Sequence, residues 1–460
     1  MCPDRMDVAS FIDGAKIKGL IRHVPLLCGL VMIAEGVDLA GIGYAGPLIS
    51  KSYNISPAGL GLIYAGTVIG SLIGAVIVGP LADRLGRRLV LICSALILGL
   101  CTCLTTTATT VPLLFVVRLT MGVGFGAAVP SVFALTADYI PVRIRALTLN
   151  AVTAGVAVGV VFAGLAAAFI IPALGWKPMM YLSGITSLCS ALLLLLFLPE
   201  SLSYSVRSRP YSPRSILLMR RLKQEQGIRP ETLLVVTGVR GPVASPLELL
   251  TRQRIVASFS LFIVMSTVYL VQTFLSYWLP TILITSGASM KAAGLVSASS
   301  KLLSVCGALL IGLIMDRRGP WRVLPVVFVV STAAIVTLGL STSHAALALV
   351  LLIVSSALVD SSFGGVTALS AMSFPSHMRA TATGWITGLA RLFGGGGGAI
   401  LGGALVAAHW TSGRTAFLLS TPLILGAAVL LIAFRFRGAA STSRDWASAA
   451  GSADIVPTAD

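Results

Sequence analysis

The chain has 460 residues, of which 56% are hydrophobic and only 11% are charged, and its mean hydropathy is +0.95. A soluble domain carries roughly 25% charged residues, so this composition excludes a soluble protein, which could not cover its surface. Many apolar runs of about 20 residues predict a polytopic helical membrane protein. The short alternating segments typical of a membrane β-barrel are not visible in the sequence.

The apolar runs predict twelve membrane-spanning helices in chain order. Their predicted positions are 24–48, 58–82, 89–108, 111–138, 147–171, 176–198, 255–279, 291–314, 321–341, 345–373, 380–407 and 414–436. The fold class is therefore all-α, with a six-helix bundle at 23–198 and a second one at 255–437. A polar cytoplasmic segment is predicted at 1–22, a basic cytoplasmic loop at 199–254, and a disordered cytoplasmic tail at 438–460.

The net charge of +17 follows membrane topology. Of the 33 Lys and Arg residues, 26 lie in the N-terminus, the even-numbered turns and the C-terminus, and four lie in the other turns. By the positive-inside rule, both termini are expected in the cytoplasm. This distribution argues against nucleic acid as a partner. The seven cysteines are scattered and show no metal-binding spacing, so no metal site is predicted.

Three landmarks repeat at nearly one offset. The charged turn at residues 79–88 reads GPLADRLGRR, and a degenerate copy at 312–319 reads GLIMDRRG, so Asp83 and Asp316 are 233 positions apart. Pro47 and Pro280 show the same offset, and the pattern Pro-x-x-x-Arg-Ala occurs at 141–146 and 375–380. The two bundles are therefore predicted to be parallel repeats, which place a substrate site between them near the membrane midplane.

These motifs resemble the major facilitator superfamily, whose loop between helices 2 and 3 is similar to residues 79–88. Arg118, Gly122 and Gly124 match its Arg-x-x-x-Gly-x-Gly pattern. Within the superfamily the chain resembles the aromatic acid:proton symporters. The matching stretches are 35–38 (EGVD), 118–146, 175–176, 198–202 (LPESL), 276–280 (SYWLP) and 378–385 (MRATATGW). One departure is Glu35, where many members have Asp; a subset resembling phenylpropionate transporters also has Glu.

Proton coupling is predicted at Glu35, Asp38 and Arg118. Ionisable groups inside a membrane are costly and are functional candidates by default. Glu35 lies about eleven residues into the first predicted helix, roughly 16 Å along its axis, and Asp38 shares its face. Two such carboxylates are not expected both to be ionised. Arg118 is expected to pair with Glu35 or Asp38, and a purely structural ion pair is the alternative.

Substrate binding is predicted around Arg391, near the middle of helix 11. Its guanidinium can hold a carboxylate through two parallel hydrogen bonds. Five glycines follow at 394–398 and indicate either a hinge or tight helix packing. Asp360 and Lys301 lie at similar depth, and Asp360 is expected to pair with Lys301 or with Arg391. Further candidates that could contact an aromatic ring or its polar groups, or could serve packing alone, are Tyr64, Tyr269, Gln272, Tyr277 and Trp385.

A gate is predicted on the cytoplasmic side. The superfamily resemblance implies that Asp83 pairs across this side when the transporter faces outwards, and that Asp316 with Arg317 does so less completely. The other predicted gate residues are Gly79, Arg84, Gly86, Arg87, Asp138, Arg145 and Arg379. For Arg87, a role in setting membrane topology is the alternative.

The leading hypothesis is a proton-coupled symporter in a bacterial inner membrane. It would import an aromatic carboxylate, such as a benzoate, hydroxybenzoate or phenylpropionate, as a monomer in the lipid bilayer, with protons as the coupling ion and no other cofactor. The alternatives are a proton-coupled exporter of drugs or other small molecules and a non-transporting membrane chemoreceptor. An enzyme is not expected, since no nucleophile–base pair, HExxH motif or metal cluster is present in the sequence.

Overall fold

The computed structural model describes most of the two predicted bundles. The described residues are 5–7, 12–13, 20–201, 204–205, 233–235, 249, 251, 254–285, 287–340, 345–374, 379–408 and 412–440. Most of the predicted N-terminal segment, of the central loop and of the C-terminal tail lies outside them.

The described residues form twelve helices that are long and apolar enough to cross a membrane, as the sequence predicts. Ten are continuous: α1 (Leu20–Tyr53), α3 (Arg87–Leu104), α4 (Val111–Tyr139), α5 (Val142–Leu174), α6 (Trp176–Phe197), α7 (Ile255–Thr285), α8 (Met290–Arg318), α9 (Pro320–Leu340), α10 (Ala345–Met372) and α12 (Ser412–Ala440). Two contain a π-helical turn: α2 (Pro57–Ile73, π turn Gly74–Val78, then Gly79–Leu85) and α11 (Arg379–Ala390, π turn Arg391–Gly395, then Gly396–Ala407). The all-α polytopic class is confirmed.

Two short strands accompany the helices. β1 (Arg5–Asp7) pairs in parallel with β2 (Leu233–Val235) and so links the N-terminal segment to the central loop. A strand of three residues is too short for an alternating pattern, and the sequence therefore gives no signal for this pair.

The repeated turn has one backbone feature in both halves. Gly86 ends α2 with φ 100°, and Gly319 ends α8 with φ 79°. Residues with a side chain rarely adopt this left-handed backbone conformation, whereas glycine adopts it readily because it lacks a Cβ. Each glycine follows its aspartate, Asp83 or Asp316, by three positions. The two turns thus share a local conformation as well as a sequence pattern.

The bundles meet through closely approaching backbones. A Cβ on Gly294 of α8 would lie 2.4 Å from the carbonyl oxygen of Gly164 on α5. A Cβ on Gly403 of α11 would lie 2.6 Å from the carbonyl oxygen of Pro57, where α2 begins. Small residues permit such packing in membranes. These contacts lie in the half of the molecule remote from the helix ends that carry the two termini, so the bundles are joined most tightly there.

Candidate functional site

A buried ion pair joins α1 and α4. Arg118 Nη1 lies 3.1 Å from Asp38 Oδ2, and the residues are 1% and 2% exposed. Thr102 of α3 donates a hydrogen bond of 2.7 Å to Asp38 Oδ1. The Arg118 guanidinium also contacts the sulfur atoms of Met121 and Met180. The structure therefore assigns Arg118 to Asp38, one of the two partners that the sequence left open.

Glu35 is buried one turn before Asp38 on α1, with 3% of its surface exposed. Close packing of α1 on α5 places it there, because a Cβ on Gly36 would lie 2.1 Å from the carbonyl oxygen of Val156. Neither carboxylate oxygen of Glu35 has a hydrogen-bond partner among the described residues. The charges of Arg391 and Asp38 both act on Glu35. Glu35 is thus a buried carboxyl group without a local partner, within electrostatic range of an arginine.

Arg391 brings a positive charge from the second bundle to this region. It opens the π turn of α11, and its Cζ lies 4.1 Å from the ring centroid of Phe125 on α4. A guanidinium over an aromatic face is attracted by the ring quadrupole. The charge of Arg391 also acts on Tyr269 and Tyr277 of α7. Arg391 therefore contacts the first bundle at Phe125 and lies within electrostatic range of Glu35.

The glycines that follow Arg391 serve packing at some positions and leave space at others. A Cβ on Gly394 would lie 2.1 Å from the carbonyl oxygen of Ser266, and one on Gly398 would lie 2.3 Å from that of Leu270. Among the described residues, no atom of another helix lies within 4 Å of a Cβ placed on Gly396 or Gly397. Tight helix packing thus explains Gly394 and Gly398, where α11 lies directly on α7.

Aromatic side chains close the site between α2 and α7. Tyr64 stacks on Tyr277 with ring centroids 4.6 Å apart and meets the edge of Trp278. The Trp278 indole donates a hydrogen bond of 2.9 Å to the carbonyl oxygen of Ala399 on α11. Both tyrosines are buried and come from different bundles, so a movement of the bundles would separate their rings.

The other predicted ring contacts lie at the margins of this cluster. Tyr269 packs edge-on against Phe363 at 5.2 Å. Gln272 is partly buried on α7 between Tyr269 and Tyr277 in the chain. Trp385 is 40% exposed on the segment of α11 that precedes the π turn.

A second ion pair lies within the C-terminal bundle. Lys301 Nζ of α8 is 2.5 Å from Asp360 Oδ2 of α10, and the side chains are 16% and 11% exposed. The structure therefore pairs Asp360 with Lys301, leaving Arg391 to the region of Glu35. The pair lines a cavity between the bundles, together with residues of α1, α5 and α7.

Two predicted gate residues of the first bundle, Arg87 and Asp138, contact each other. Arg87 Nη1 lies 2.7 Å from Asp138 Oδ2, and the Ser201 hydroxyl donates to the same carboxylate. Glu200 accepts hydrogen bonds from the backbone N–H groups of Arg88 and Ser201. These contacts tie the turn between α2 and α3 to α4 and to the segment that follows α6.

Glu200, Ser201, Tyr139 and Tyr204 were not among the candidate residues. Tyr139 donates a hydrogen bond of 2.6 Å to the carbonyl oxygen of Glu200, and Tyr204 donates one of 3.2 Å to that of Arg84. The LPESL stretch at 198–202 was noticed as a family motif, but its sequence does not indicate that it contacts the turn between α2 and α3.

The remaining gate candidates have different surroundings. Arg145 donates to the carbonyl oxygen of Ile140, near the start of its own helix. Asp316 and Arg317 are exposed at the end of α8. The side chains of Asp83 and Arg379, and Gly79 beyond its backbone, lie outside the described residues. The pairing of Asp83 across the bundles stays a prediction.

Replacing Asp38 by asparagine is expected to destabilise the protein by about 3–5 kcal/mol, because Arg118 would keep a buried charge without its counterion. The thermal midpoint of the detergent-solubilised protein measures this effect. Thr102→Val is the milder control, since it removes a single hydrogen bond worth about 1 kcal/mol. If the Asp38→Asn variant had the same thermal midpoint as the wild type, the ion pair would not contribute to stability.

Two six-helix bundles, each with charged residues buried or partly buried inside it, are typical of secondary transporters. Residues 28–399 match the model of the Major Facilitator Superfamily, and the chain belongs to this superfamily. It is therefore a multi-pass membrane transporter and not an enzyme.

Particular members resemble this chain along most of its length. The 4-hydroxybenzoate transporter PcaK of Pseudomonas aeruginosa is 29% identical, over 93% of this chain and 96% of the relative. The gallate transporter of Pseudomonas putida is 30% identical, over 87% of this chain and 89% of the relative. The fold is similar to the crystal structure of a D-xylose-proton symporter, with a TM-score of 0.69 at 19% identity, over 90% of this chain and 97% of that one.

Proposed function

We propose that this protein is a proton-coupled symporter that imports an aromatic carboxylate, such as a benzoate, hydroxybenzoate or phenylpropionate, by alternating access. The observation that carries the proposal is Glu35, a buried carboxyl group that has no hydrogen-bond partner among the described residues and lies within electrostatic range of Arg391 of the other bundle. The names of the similar transporters support the class of substrate. The protein acts as a monomer in a bacterial inner membrane, with both termini in the cytoplasm.

Glu35 and the substrate carboxylate compete for the charge of Arg391. In the empty transporter, Arg391 is the countercharge that an ionised Glu35 requires at this depth. When a substrate carboxylate binds Arg391, Glu35 loses that countercharge and takes up a proton, because an unpaired charge at this depth is costly. Asp38 takes no part in this exchange, since Arg118 and Thr102 already satisfy it.

Both forms of the transporter then carry the same charge at the site. The empty form holds an arginine and a carboxylate, and the loaded form holds an arginine, the substrate carboxylate and a neutral Glu35. A form with an unbalanced buried charge would resist the rearrangement of the bundles. The proton and the substrate therefore cross the membrane together, because neither can cross without the other.

The bundle contacts support a state that is open towards the cytoplasm. The close glycine contacts lie in the half remote from the termini, so the site is reached from the face that holds the termini. Rocking of the bundles would separate Tyr64 from Tyr277 and bring that face together. Its charges would then close the gate: Asp83 and Asp316, with Arg84, Arg87, Asp138, Arg145, Arg317 and Arg379.

Proteoliposome uptake tests the function directly. Under an inward proton gradient, labelled benzoates, hydroxybenzoates and phenylpropionates are presented, and at least one is expected to accumulate above its external concentration. A protonophore should abolish the accumulation, and liposomes without protein provide the background. If no aromatic acid accumulates under any gradient, the proposal is wrong.

A further inference from the structure

A hydroxyl-rich cavity lies between the bundles and has no role in the coupling step described above. Leu39, which follows Asp38 on α1, lines the cavity, and so does Ser276, which precedes Tyr277 on α7. The cavity thus lies one residue along α1 from Asp38 and one residue along α7 from Tyr277. The polar lining consists of Tyr44, Ser276, Ser297, Ser300, Ser356 and the Lys301–Asp360 pair.

The hydrogen-bonding groups of this cavity are incompletely used. Ser356 is 4% exposed, and its hydroxyl has no hydrogen-bond partner among the described residues. The Ser300 hydroxyl donates to the carbonyl oxygen of Ser297 and keeps its acceptor lone pairs. A buried polar group without a partner is unfavourable, so the cavity suits a ligand group that donates and accepts hydrogen bonds.

The charge of the cavity restricts which group that is. Lys301 and Asp360 neutralise each other at 2.5 Å, so a second carboxylate would find no free positive charge and would face the aspartate. An unsubstituted ring edge would leave Ser356 without a partner. A phenolic hydroxyl fits both requirements, because it can donate to the Asp360 carboxylate and accept from a serine.

We propose that Ser300, Ser356, Lys301 and Asp360 form a subsite that hydrogen-bonds a hydroxyl group on the ring of the transported acid. The proposal rests on the function proposed above and narrows its substrate to hydroxylated aromatic carboxylates. Arg391 holds the carboxylate, and the subsite selects the ring substituent.

Paired uptake measurements with benzoate and hydroxybenzoates test the subsite. The wild type is expected to show a kcat/KM at least about fivefold higher for a hydroxybenzoate than for benzoate, since benzoate leaves buried polar groups unpaired. Ser356→Ala is expected to reduce this preference about three- to tenfold by lowering the value for the hydroxybenzoate alone. Ser362→Ala is the matched control on α10, because the buried Ser362 hydroxyl donates to the carbonyl oxygen of Val359.

The outcomes separate the two proposals. Equal kcat/KM values for both acids in the wild type, or an equal loss for both in Ser356→Ala, would overturn the subsite and leave the symporter proposal standing. Absence of uptake for every aromatic acid would overturn both.

The Asp360→Asn variant is expected to gain transport of a different substrate. It leaves Lys301 with an unbalanced charge, which would hinder the return of the empty transporter, so counterflow is the assay used. The counterflow rate of a benzoate carrying a second carboxylate in place of the hydroxyl should rise relative to that of hydroxybenzoate by about tenfold or more. An unchanged ratio in a variant that still transports would show that the neutrality of the pair does not set the selection.

Discussion

Glu35→Gln is expected to abolish accumulation driven by a proton gradient while substrate exchange across the membrane persists. The loaded variant has an arginine, a substrate carboxylate and a neutral glutamine, so its charges balance as in the protonated wild type. The empty variant leaves Arg391 without a counterion, and its return across the membrane is blocked by that buried charge. Net uptake needs this return, but exchange does not.

Two assays on the same proteoliposomes separate these steps. Net uptake under an inward proton gradient should fall to the background of protein-free liposomes, a loss of about 100-fold or more if the blocked step costs about 3 kcal/mol. Counterflow of labelled against unlabelled substrate should stay within a few-fold of the wild type. Glu35→Asp is the matched control, because it keeps an ionisable carboxyl group. Wild-type accumulation in the glutamine variant would contradict the role of Glu35.

The sequence predicts the architecture because the membrane imposes it. Apolar runs of about 20 residues leave few alternatives to a spanning helix. The offset between Asp83 and Asp316 indicates two bundles, and the matching backbone of Gly86 and Gly319 shows the same turn in both. Charged residues inside membrane helices are rare, so the sequence alone identifies Glu35, Asp38 and Arg391 as candidate functional residues.

The pairing of these charges is not readable from the chain. Depth follows from counting residues, but the rotation of each helix depends on packing, such as the contact of Gly36 with Val156. Arg118 therefore had two possible partners, and only the structure assigns it to Asp38. Thr102 and Phe125 complete the site from other helices, yet threonine and phenylalanine are ordinary in a membrane helix and carry no signal.

The π turns are the other feature that the sequence does not reveal. The π turn Arg391–Gly395 begins at Arg391 itself, and such turns are frequent at functional sites. A run of glycines predicts a weak helix, but it does not predict where the backbone hydrogen bonds change from the α to the π pattern. The approach of Arg391 to Phe125 of the other bundle is thus a product of local backbone geometry and bundle packing.

Arg391→Gln is expected to raise the KM for the aromatic acid about 10- to 100-fold. Hydrogen bonds to a charged group contribute about 1.5–3 kcal/mol, and each 1.4 kcal/mol changes affinity tenfold. The loss should occur in exchange as well as in net uptake, unlike the effect of Glu35→Gln, because the loaded form itself is weakened. Initial rates of counterflow over a range of substrate concentrations measure this KM.

The series Arg391→Lys and Phe125→Leu distinguishes substrate binding from structural support. Lysine keeps the charge but not the planar fork that holds both carboxylate oxygens, so its KM should fall between those of the wild type and the glutamine variant. Phe125→Leu removes the ring beneath the guanidinium and should raise the KM by less than about tenfold, in line with a cation–π contribution of about 0.5–1 kcal/mol. If Arg391 served only to join the bundles, Phe125→Leu and Arg391→Gln would lower the thermal midpoint together and leave the KM unchanged. A raised KM at an unchanged midpoint, graded from arginine through lysine to glutamine, is the expected signature of a guanidinium that binds the substrate carboxylate.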